Sequence, residues 1–138
     1  MASILKVDEL QGITAAGDIT VTSEGGAATQ SLQQGLAKAW INIKGTVTTG
    51  IQQSFNVTSF VDESTAGHFT YSFTNSFNYV DHVGSGSVNL NETTGFNRIV
   101  VPYGAPSASQ FSLQESRADT TAKEDAESIQ YIHFGDLA

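Results

Sequence analysis

Apolar and polar residues alternate over much of the chain beyond residue 36, and this period of two is typical of half-buried β-strands. The clearest example is the segment 68–73, which places Phe69, Tyr71 and Phe73 on the buried face and the polar residues between them on the opposite face. The same pattern predicts further strands at residues 37–43, 52–61, 79–84, 98–102, 110–116 and 128–134.

Two of these segments carry specific predictions about their faces. In residues 37–43 the pattern places Ala39 and Ile41 on one face and Trp40 on the other. In residues 52–61, read as one strand, Phe55, Val57 and Val61 share a face.

Turn-forming residues separate the predicted strands, at residues 44–45, 63–67, 84–86, 89–95 and 104–107. No long helical pattern interrupts the series, although residues 118–127 fit either a helical turn or an acidic loop. We therefore predict an all-β fold over residues 36–138, an antiparallel, jelly-roll-like β-sandwich of about seven strands.

Residues 1–35 have a different character and predict an extended N-terminal arm. The first thirteen residues have too few apolar side chains for a core and are too polar to enter a membrane. Residues 19–22 predict a short strand, and residues 29–36 predict one or two helical turns with Thr29 as the N-cap. Leu32 and Leu36 would share a face of that turn, packed either on the same domain or around a symmetry axis.

An ordered arm of this kind needs another surface to lie on. We therefore predict that the arm serves attachment and trimerisation. The candidate assembly residues are Ile4, Leu5, Val7, Leu10, Leu32, Leu36 and Trp40.

Charge and composition narrow the function classes. The net charge is −8 with six Lys and Arg, so a duplex nucleic-acid ligand or an anionic membrane surface is not expected. The absence of cysteine excludes disulfides and thiolate metal sites. No apolar run reaches the length of a membrane span, and the start lacks the pattern of a signal peptide, so we do not expect secretory export.

The candidates for catalysis are weak. His68, His82 and His133 are far apart in sequence, and each is predicted as a surface or half-buried strand residue. The segment 83–87 resembles a nucleophile elbow only superficially and is predicted to be a turn. The adjacent carboxylates at 62–63 and 124–125 are predicted to be solvated turn residues. We predict no catalytic residue, no metal and no cofactor.

Aromatic residues are the remaining candidates for a binding function. They could stack on sugar rings or pack in the core or against a neighbouring subunit, and packing is the preferred interpretation. The residues that do not all fit one inward face are Trp40, Phe60, Tyr79, Tyr103 and Phe134.

Six segments from one end of the chain to the other form a common pattern, namely Leu5-Lys-Val-Asp8, Gly17-Asp-Ile-Thr-Val-Thr22, Leu32-Gln-Gln-Gly-Leu-Ala-Lys-Ala-Trp40, Gln53-Ser-Phe-Asn-Val-Thr-Ser59, Phe69-Thr-Tyr-Ser-Phe73 and Phe134-Gly-Asp136. This pattern resembles a group of short virion proteins encoded by tailed phages of marine and freshwater bacteria. The resemblance implies a trimeric β-sandwich module with an N-terminal attachment segment, and it carries over no catalytic residue. The loop 62–67 departs from the Asn- and Gly-rich turn usual in the group, so receptor specificity cannot be transferred.

The function expected from the residues and the resemblance together is that of a non-enzymatic phage virion protein on the outer surface of the particle. It would be a homotrimer, either a short tail fibre or a capsid-decorating cement protein. Its expected partners are other virion proteins (the major capsid, tail or fibre-adaptor protein), and a host surface glycan is a further candidate. The alternative is a free carbohydrate-binding β-sandwich module.

Overall fold

The computed structural model describes residues 5–13, 19–22, 26, 28–46, 49–89, 98–120 and 122–138. The chain divides into two compact units, Met1–Leu36 and Ala37–Ala138. This division lies next to the boundary predicted between residues 35 and 36.

The first unit contains a small hairpin. Strands β1 (Thr20–Thr22) and β2 (Thr29–Ser31) pair antiparallel, and the four-residue segment α1 (Leu32–Gly35) has helical backbone. The predicted helical turns over 29–36 are not confirmed, because Thr29 is the first residue of β2 instead of an N-cap. The backbone N–H of Leu32 instead donates to the carbonyl of Ile19. Residues 5–13 form neither helix nor strand.

The second unit is an all-β antiparallel sandwich, as predicted, with eight strands where about seven were expected. We call the sheet with the order β4-β3-β10-β7 the Trp40 sheet and the sheet with the order β5-β6-β9-β8 the Phe69 sheet. The strands are β3 (Ala39–Lys44), β4 (Gly50–Phe55), β5 (Val57–Asp62), β6 (His68–Phe73), β7 (Val83–Asn89), β8 (Arg98–Pro102), β9 (Gln110–Arg117) and β10 (Ser128–Phe134).

The core lies between the inner faces of the two sheets. Phe69, Tyr71 and Phe73 of β6 are all buried there, which confirms the face predicted from their alternation. The facing layer comes from β3 and β10, whose alternate residues are buried because both are central strands of the Trp40 sheet. The other buried apolar residues are Ala39, Ile41, Ile43, Phe77, Phe111, Leu113, Ala126, Ile129 and Tyr131.

The predicted strand 52–61 is two strands, one in each sheet, and the prediction of a single face was wrong. The chain passes from β4 to β5 at Asn56, whose φ of 58° is tolerated by Asn better than by most residues. The side-chain amide of Asn56 donates to the carbonyls of Lys38 and Asn75, both at 3.0 Å. This crossing and a bulge in β5 reset the alternation, so Phe60 packs on the core and Val61 is half exposed.

Residues 83–87 were predicted to be a turn, but they belong to β7. Only the end of the predicted strand 79–84 is strand, and β7 continues from it through Asn89. The glycines have a packing role, because Tyr131 of β10 lies across β7 and a Cβ at Gly84 or Gly86 would clash with its ring. Small residues in a strand allow such a close approach, and this is why a turn signal occurs within a strand.

Residues 118–127 contain no helix in the part that the structure describes. A turn at 118–120 and an isolated bridge between Ser116 and Lys123 occupy this stretch. Among the described residues, no helix is both long and apolar enough to cross a membrane.

Candidate functional site

The outer face of the Trp40 sheet carries two parallel rows of side chains. Trp40 and Asn42 alternate on β3 with the buried Ala39 and Ile41, so both point away from the core. Strand pairing places one residue from each neighbouring strand beside them. One row, which we call the apolar row, consists of Phe55, Trp40 and Ile132 and ends at Ser85 on β7. The other, which we call the amide row, consists of Gln53, Asn42 and Gln130 and ends at Ser87 on β7.

Apart from Phe55, which lies beside Trp40 at the edge of the sheet, the residues of these rows line an open groove of about 450 Å³, which we call the Trp40 groove. Trp40 is 37% exposed and Phe55 is 53% exposed, so both rings remain accessible to a ligand. The side chains of the two rows include no Asp, Glu, Lys or Arg. The groove therefore combines an aromatic surface with neutral hydrogen-bonding groups, which is a common composition of small-molecule sites.

Much of the hydrogen-bonding capacity of the amide row is unused. Asn42 accepts a hydrogen bond from Ser128 at 2.9 Å, and Ser87 donates to Gln130 at a long 3.5 Å. Within the described residues, Gln53 and Ser85 make no side-chain hydrogen bond. A side-chain amide offers two donors and a carbonyl acceptor, so this row can still bind a polar ligand.

The outer face of the Phe69 sheet differs, because its polar side chains bond to one another. Thr70 and Ser112 are joined by a 2.8 Å hydrogen bond, and His68 Nε2 lies 3.0 Å from Oε1 of Gln114. The ring of Tyr103 stacks on His68 with centroids 4.0 Å apart. His68 and Thr70 point away from the core as predicted, but they are buried beneath this layer and are not surface residues.

The structure also brings two of the three histidines together, a contact that their spacing along the chain does not predict. His133 lies fully buried in β10, and its Nδ1 is 3.2 Å from Nδ1 of His82. Its Nε2 is 2.5 Å from the hydroxyl of Tyr71. The prediction that His133 is a surface or half-buried residue was wrong, and His82 precedes β7 instead of lying in a strand.

Both histidines of the pair are in the neutral form at pH 7, because burial lowers the pKa of each. We assign the protons so that Tyr71 donates to Nε2 of His133 and Nδ1–H of His133 donates to Nδ1 of His82. Burial, and then the proximity of His82, lower the pKa of His133 to about 3. Burial also lowers the pKa of His82, against weaker opposing effects of the Ser107 backbone and the Asp81 carboxylate. Burial raises the pKa of Tyr71 above its usual range.

Aromatic rings enclose this pair on several sides. The ring centroids of Phe73, Phe77 and Phe111 lie within 6.1 Å of the imidazole of His133. A general acid or base must come within hydrogen-bond reach of its substrate. Because His133 has no exposed surface, its geometry supports a structural link between the two sheets.

Glu124 and Asp125, predicted to be solvated turn residues, both have partners. Arg98 Nη1 and Nη2 each lie 2.8 Å from a carboxylate oxygen, of Glu115 and Glu124 respectively. Asp125 accepts a 2.6 Å hydrogen bond from the backbone N–H of Gly67. Glu115 is fully buried, and burial raises its pKa while Arg98 lowers it in part. This cluster fastens the acidic loop to the Phe69 sheet.

The predicted assembly residues belong to both units of the chain. Leu5, Val7, Leu10 and Leu36 are each more than half exposed, and Leu32 is half-buried. Ile4 lies outside the described residues. Trp40 belongs to the second unit, where it lines the groove described above.

The aromatic residues that were predicted as binding candidates also lie in different environments. Phe60 stacks on the buried Phe69, Tyr103 covers His68, and Tyr79 is 72% exposed. Only Trp40 combines exposure with a neighbouring row of amides. The amide row was missed at the sequence level, because its members come from four strands whose pairing the alternation does not specify.

No protein-family model, no curated protein and no solved structure matches this chain. Within the described residues, no group of three or more His, Cys, Asp or Glu side chains is arranged to hold a metal ion. The class of protein that follows from the fold of residues 37–138 is an all-β sandwich. The resemblance to phage virion proteins stays a prediction.

Proposed function

We propose that this chain is a non-enzymatic structural component of a bacteriophage particle, attached through its N-terminal arm. The observation that carries the proposal is the exposure of Leu5, Val7 and Leu10 in a segment that forms neither helix nor strand. Fully burying one such side chain stabilises a complex by about 1.5–3 kcal/mol. Contact of these residues with another protein surface is therefore favourable, and this supports an attachment role.

In this proposal three copies assemble through their arms on the outer surface of the virion, and the β-sandwich faces outward. The arm docks on the major capsid protein, the tail or a fibre-adaptor protein. Two placements compete, a short fibre and a cement protein on the capsid. The resemblance supports the short fibre. Locating the chain in an electron cryo-microscopy map of the virion separates them.

The arm is tested by a variant with Leu5→Ser, Val7→Ser and Leu10→Ser, in the phage that encodes the chain. We expect at least tenfold lower incorporation into purified virions, measured by quantitative mass spectrometry. The matched control is Lys6→Ser, Glu9→Ser and Gln11→Ser, which changes exposed polar residues of the same segment without altering the net charge. Equal occupancy of the two variants contradicts the attachment role.

The trimer is tested separately, by multi-angle light scattering of the intact chain and by the copy number in the virion map. A mass of three copies supports the proposal. A monomer both in solution and on the particle contradicts it.

A free carbohydrate-binding module is the second candidate, and the Trp40 groove is the observation that favours it. Such a module does not depend on a particle. If it is correct, the triple serine variant of the arm leaves ligand binding unchanged and the chain is absent from purified virions.

A further inference from the structure

We infer that the Trp40 groove is a binding site for a neutral oligosaccharide. The indole of Trp40 lies on the outer face between Phe55 on β4 and Ile132 on β10, and it is accessible from solvent. The face of an aromatic ring carries partial negative charge, which attracts the weakly positive C–H groups on one face of a sugar ring. Trp40 is therefore the stacking platform of the proposed site.

The amide row supplies the polar contacts that a sugar requires. Gln53 and Gln130 lie on either side of Asn42, one strand away in each direction. Sugar hydroxyls both donate and accept hydrogen bonds, and each side-chain amide can do the same. Since Ser128 already uses the carbonyl oxygen of Asn42, the amide group of Asn42 remains as a donor toward the groove.

The absence of charge on the two rows decides what kind of ligand fits. An acidic glycan, a phosphate group or an acidic peptide would find no Lys or Arg among these side chains. A flat apolar surface of another protein would cover Trp40 and Phe55 but would leave the amide row without partners. Burying an unpaired amide is unfavourable, so a ligand that is itself neutral and rich in hydroxyl groups is the better match.

The backbone holds these side chains in fixed positions. β3 and β10 are the two central strands of the sheet, so Trp40, Asn42, Gln130 and Ile132 lie on strands paired on both sides. A site built on paired strands loses little conformational freedom when a ligand binds. Four strands span about 14 Å at the usual strand spacing, which suits a short oligosaccharide lying across them.

This inference does not depend on the arm. The groove consists of residues from the second unit alone, whereas the proposed attachment residues lie in the first. A chain that fails to enter virions can still bind a glycan, and a chain that enters virions can fail to bind one.

The single tryptophan gives a local probe, because Trp40 is the only source of indole fluorescence in the chain. The intact protein, excited at a wavelength selective for Trp, is titrated with maltohexaose, cellohexaose, mannohexaose and chitohexaose. Hexagalacturonate serves as the anionic comparison. We expect a saturable emission change with at least one neutral hexasaccharide and none with hexagalacturonate.

The contribution of the amide row is tested by the double variant Gln53→Ala and Gln130→Ala, which keeps the fluorophore and changes only exposed side chains. We expect at least tenfold weaker binding of the hexasaccharide found. Calorimetry extends the test to Trp40→Ala, which should bind at least tenfold more weakly. The control is Tyr79→Ala, an exposed aromatic residue that does not line the groove and should leave the affinity unchanged.

Four outcomes overturn the inference. They are no emission change with any neutral hexasaccharide, a response to hexagalacturonate alone, unchanged binding by the double glutamine variant, and a change of oligomeric state in Trp40→Ala. The last would show that the face is a contact between copies of the chain. If Trp40→Ala does not fold, the double glutamine variant decides.

Discussion

The outward polar side chains of the two sheets differ in how far they form hydrogen bonds with one another. On the Phe69 sheet these side chains bond to each other across the strands, as Thr70 does with Ser112, and Tyr103 covers part of the layer. On the Trp40 sheet Gln53 has no such partner within the described residues, and Trp40 stays accessible. A polar face that satisfies its own hydrogen bonds has little left for a ligand, so among the described residues the Trp40 sheet is the better candidate binding surface.

The inner faces differ as well. The Phe69 sheet contributes large rings, whereas β7 of the Trp40 sheet contributes Gly84 and Gly86, which make room for Tyr131. The hydrogen bond from Tyr71 to His133 joins the two layers. The comparison therefore predicts that substitutions of similar chemistry have unequal effects on the two sheets.

The largest difference is expected between two Phe→Ala substitutions. Phe73 is 4% exposed and packs edge-on against Phe77 with centroids 4.8 Å apart, so Phe73→Ala should lower the free energy of unfolding by about 3–5 kcal/mol. Phe55→Ala, on the outer face of the Trp40 sheet, should cost less than about 1 kcal/mol. Urea denaturation at fixed protein concentration measures both, and equal costs would show that the outer face is buried in an assembly.

The link between the sheets should make stability depend on pH. The folded-state pKa of His133, about 3, lies below its unfolded value of roughly 6.5, so the unfolded chain takes up the proton first on acidification. The contribution is complete above pH 6.5 and is lost as the pH falls toward 3. From pH 7 to 5 the wild type should lose about 2 kcal/mol more than His133→Gln, which has no titrating group at this position.

Glu115 changes the pH dependence of stability in the opposite direction, and its effect cancels when wild type is compared with His133→Gln. Its pKa is raised by burial, so its contribution is present at low pH and is lost as the pH rises through the folded-state pKa. Since both variants retain Glu115, the difference between their urea midpoints isolates the histidine. Equal losses in wild type and His133→Gln would remove the histidine pair as the cause.

Alanine substitutions at two glycines test how closely Tyr131 packs against β7. An alanine at Gly86 meets Tyr131 and, at 2.9 Å, a methyl carbon of Val100 from the facing sheet, so Gly86→Ala should cost about 1–3 kcal/mol. Gly50→Ala, on the edge strand of the same sheet, meets nothing within 4 Å and should stay within about 0.5 kcal/mol of wild type. Thermal unfolding of both variants suffices. If Gly86→Ala is as stable as Gly50→Ala, Tyr131 has room to move.

The smallest effect concerns the two polar faces directly. Thr70→Ala leaves Ser112 without its buried partner and should cost about 1 kcal/mol. Gln53→Ala removes a side chain with no partner in the described residues and should change stability by less than about 0.5 kcal/mol. If the two substitutions lower the stability equally, the hydrogen bonds on the outer face of the Phe69 sheet do not stabilise the fold more than the unpaired amides of the Trp40 sheet.

Local patterns in the sequence predicted most of the strands and one complete face of the core. Residues 68–73, 98–102 and 128–134 form strands with the predicted bounds, because alternation with β-branched and aromatic residues acts within each segment. The passage of the chain from β4 to β5 at Asn56 was missed. A single residue with left-handed backbone changes which of the following side chains face the core, and the spacing of the apolar residues does not reveal this change. The glycines of β7 were misread, because their reason lies on another strand, at Tyr131.

By itself the sequence determined the all-β class and the inward face of β6, whereas the arm over residues 1–35 stays a prediction. Tertiary structure alone decided that His82 and His133 meet, that Thr70 is buried, and that Gln53, Asn42 and Gln130 form a row beside Trp40. The physical reason is the range of the interactions. Alternation is a property of neighbours along the chain, whereas these clusters depend on the register between strands many residues apart, which follows from the packing of the whole sandwich.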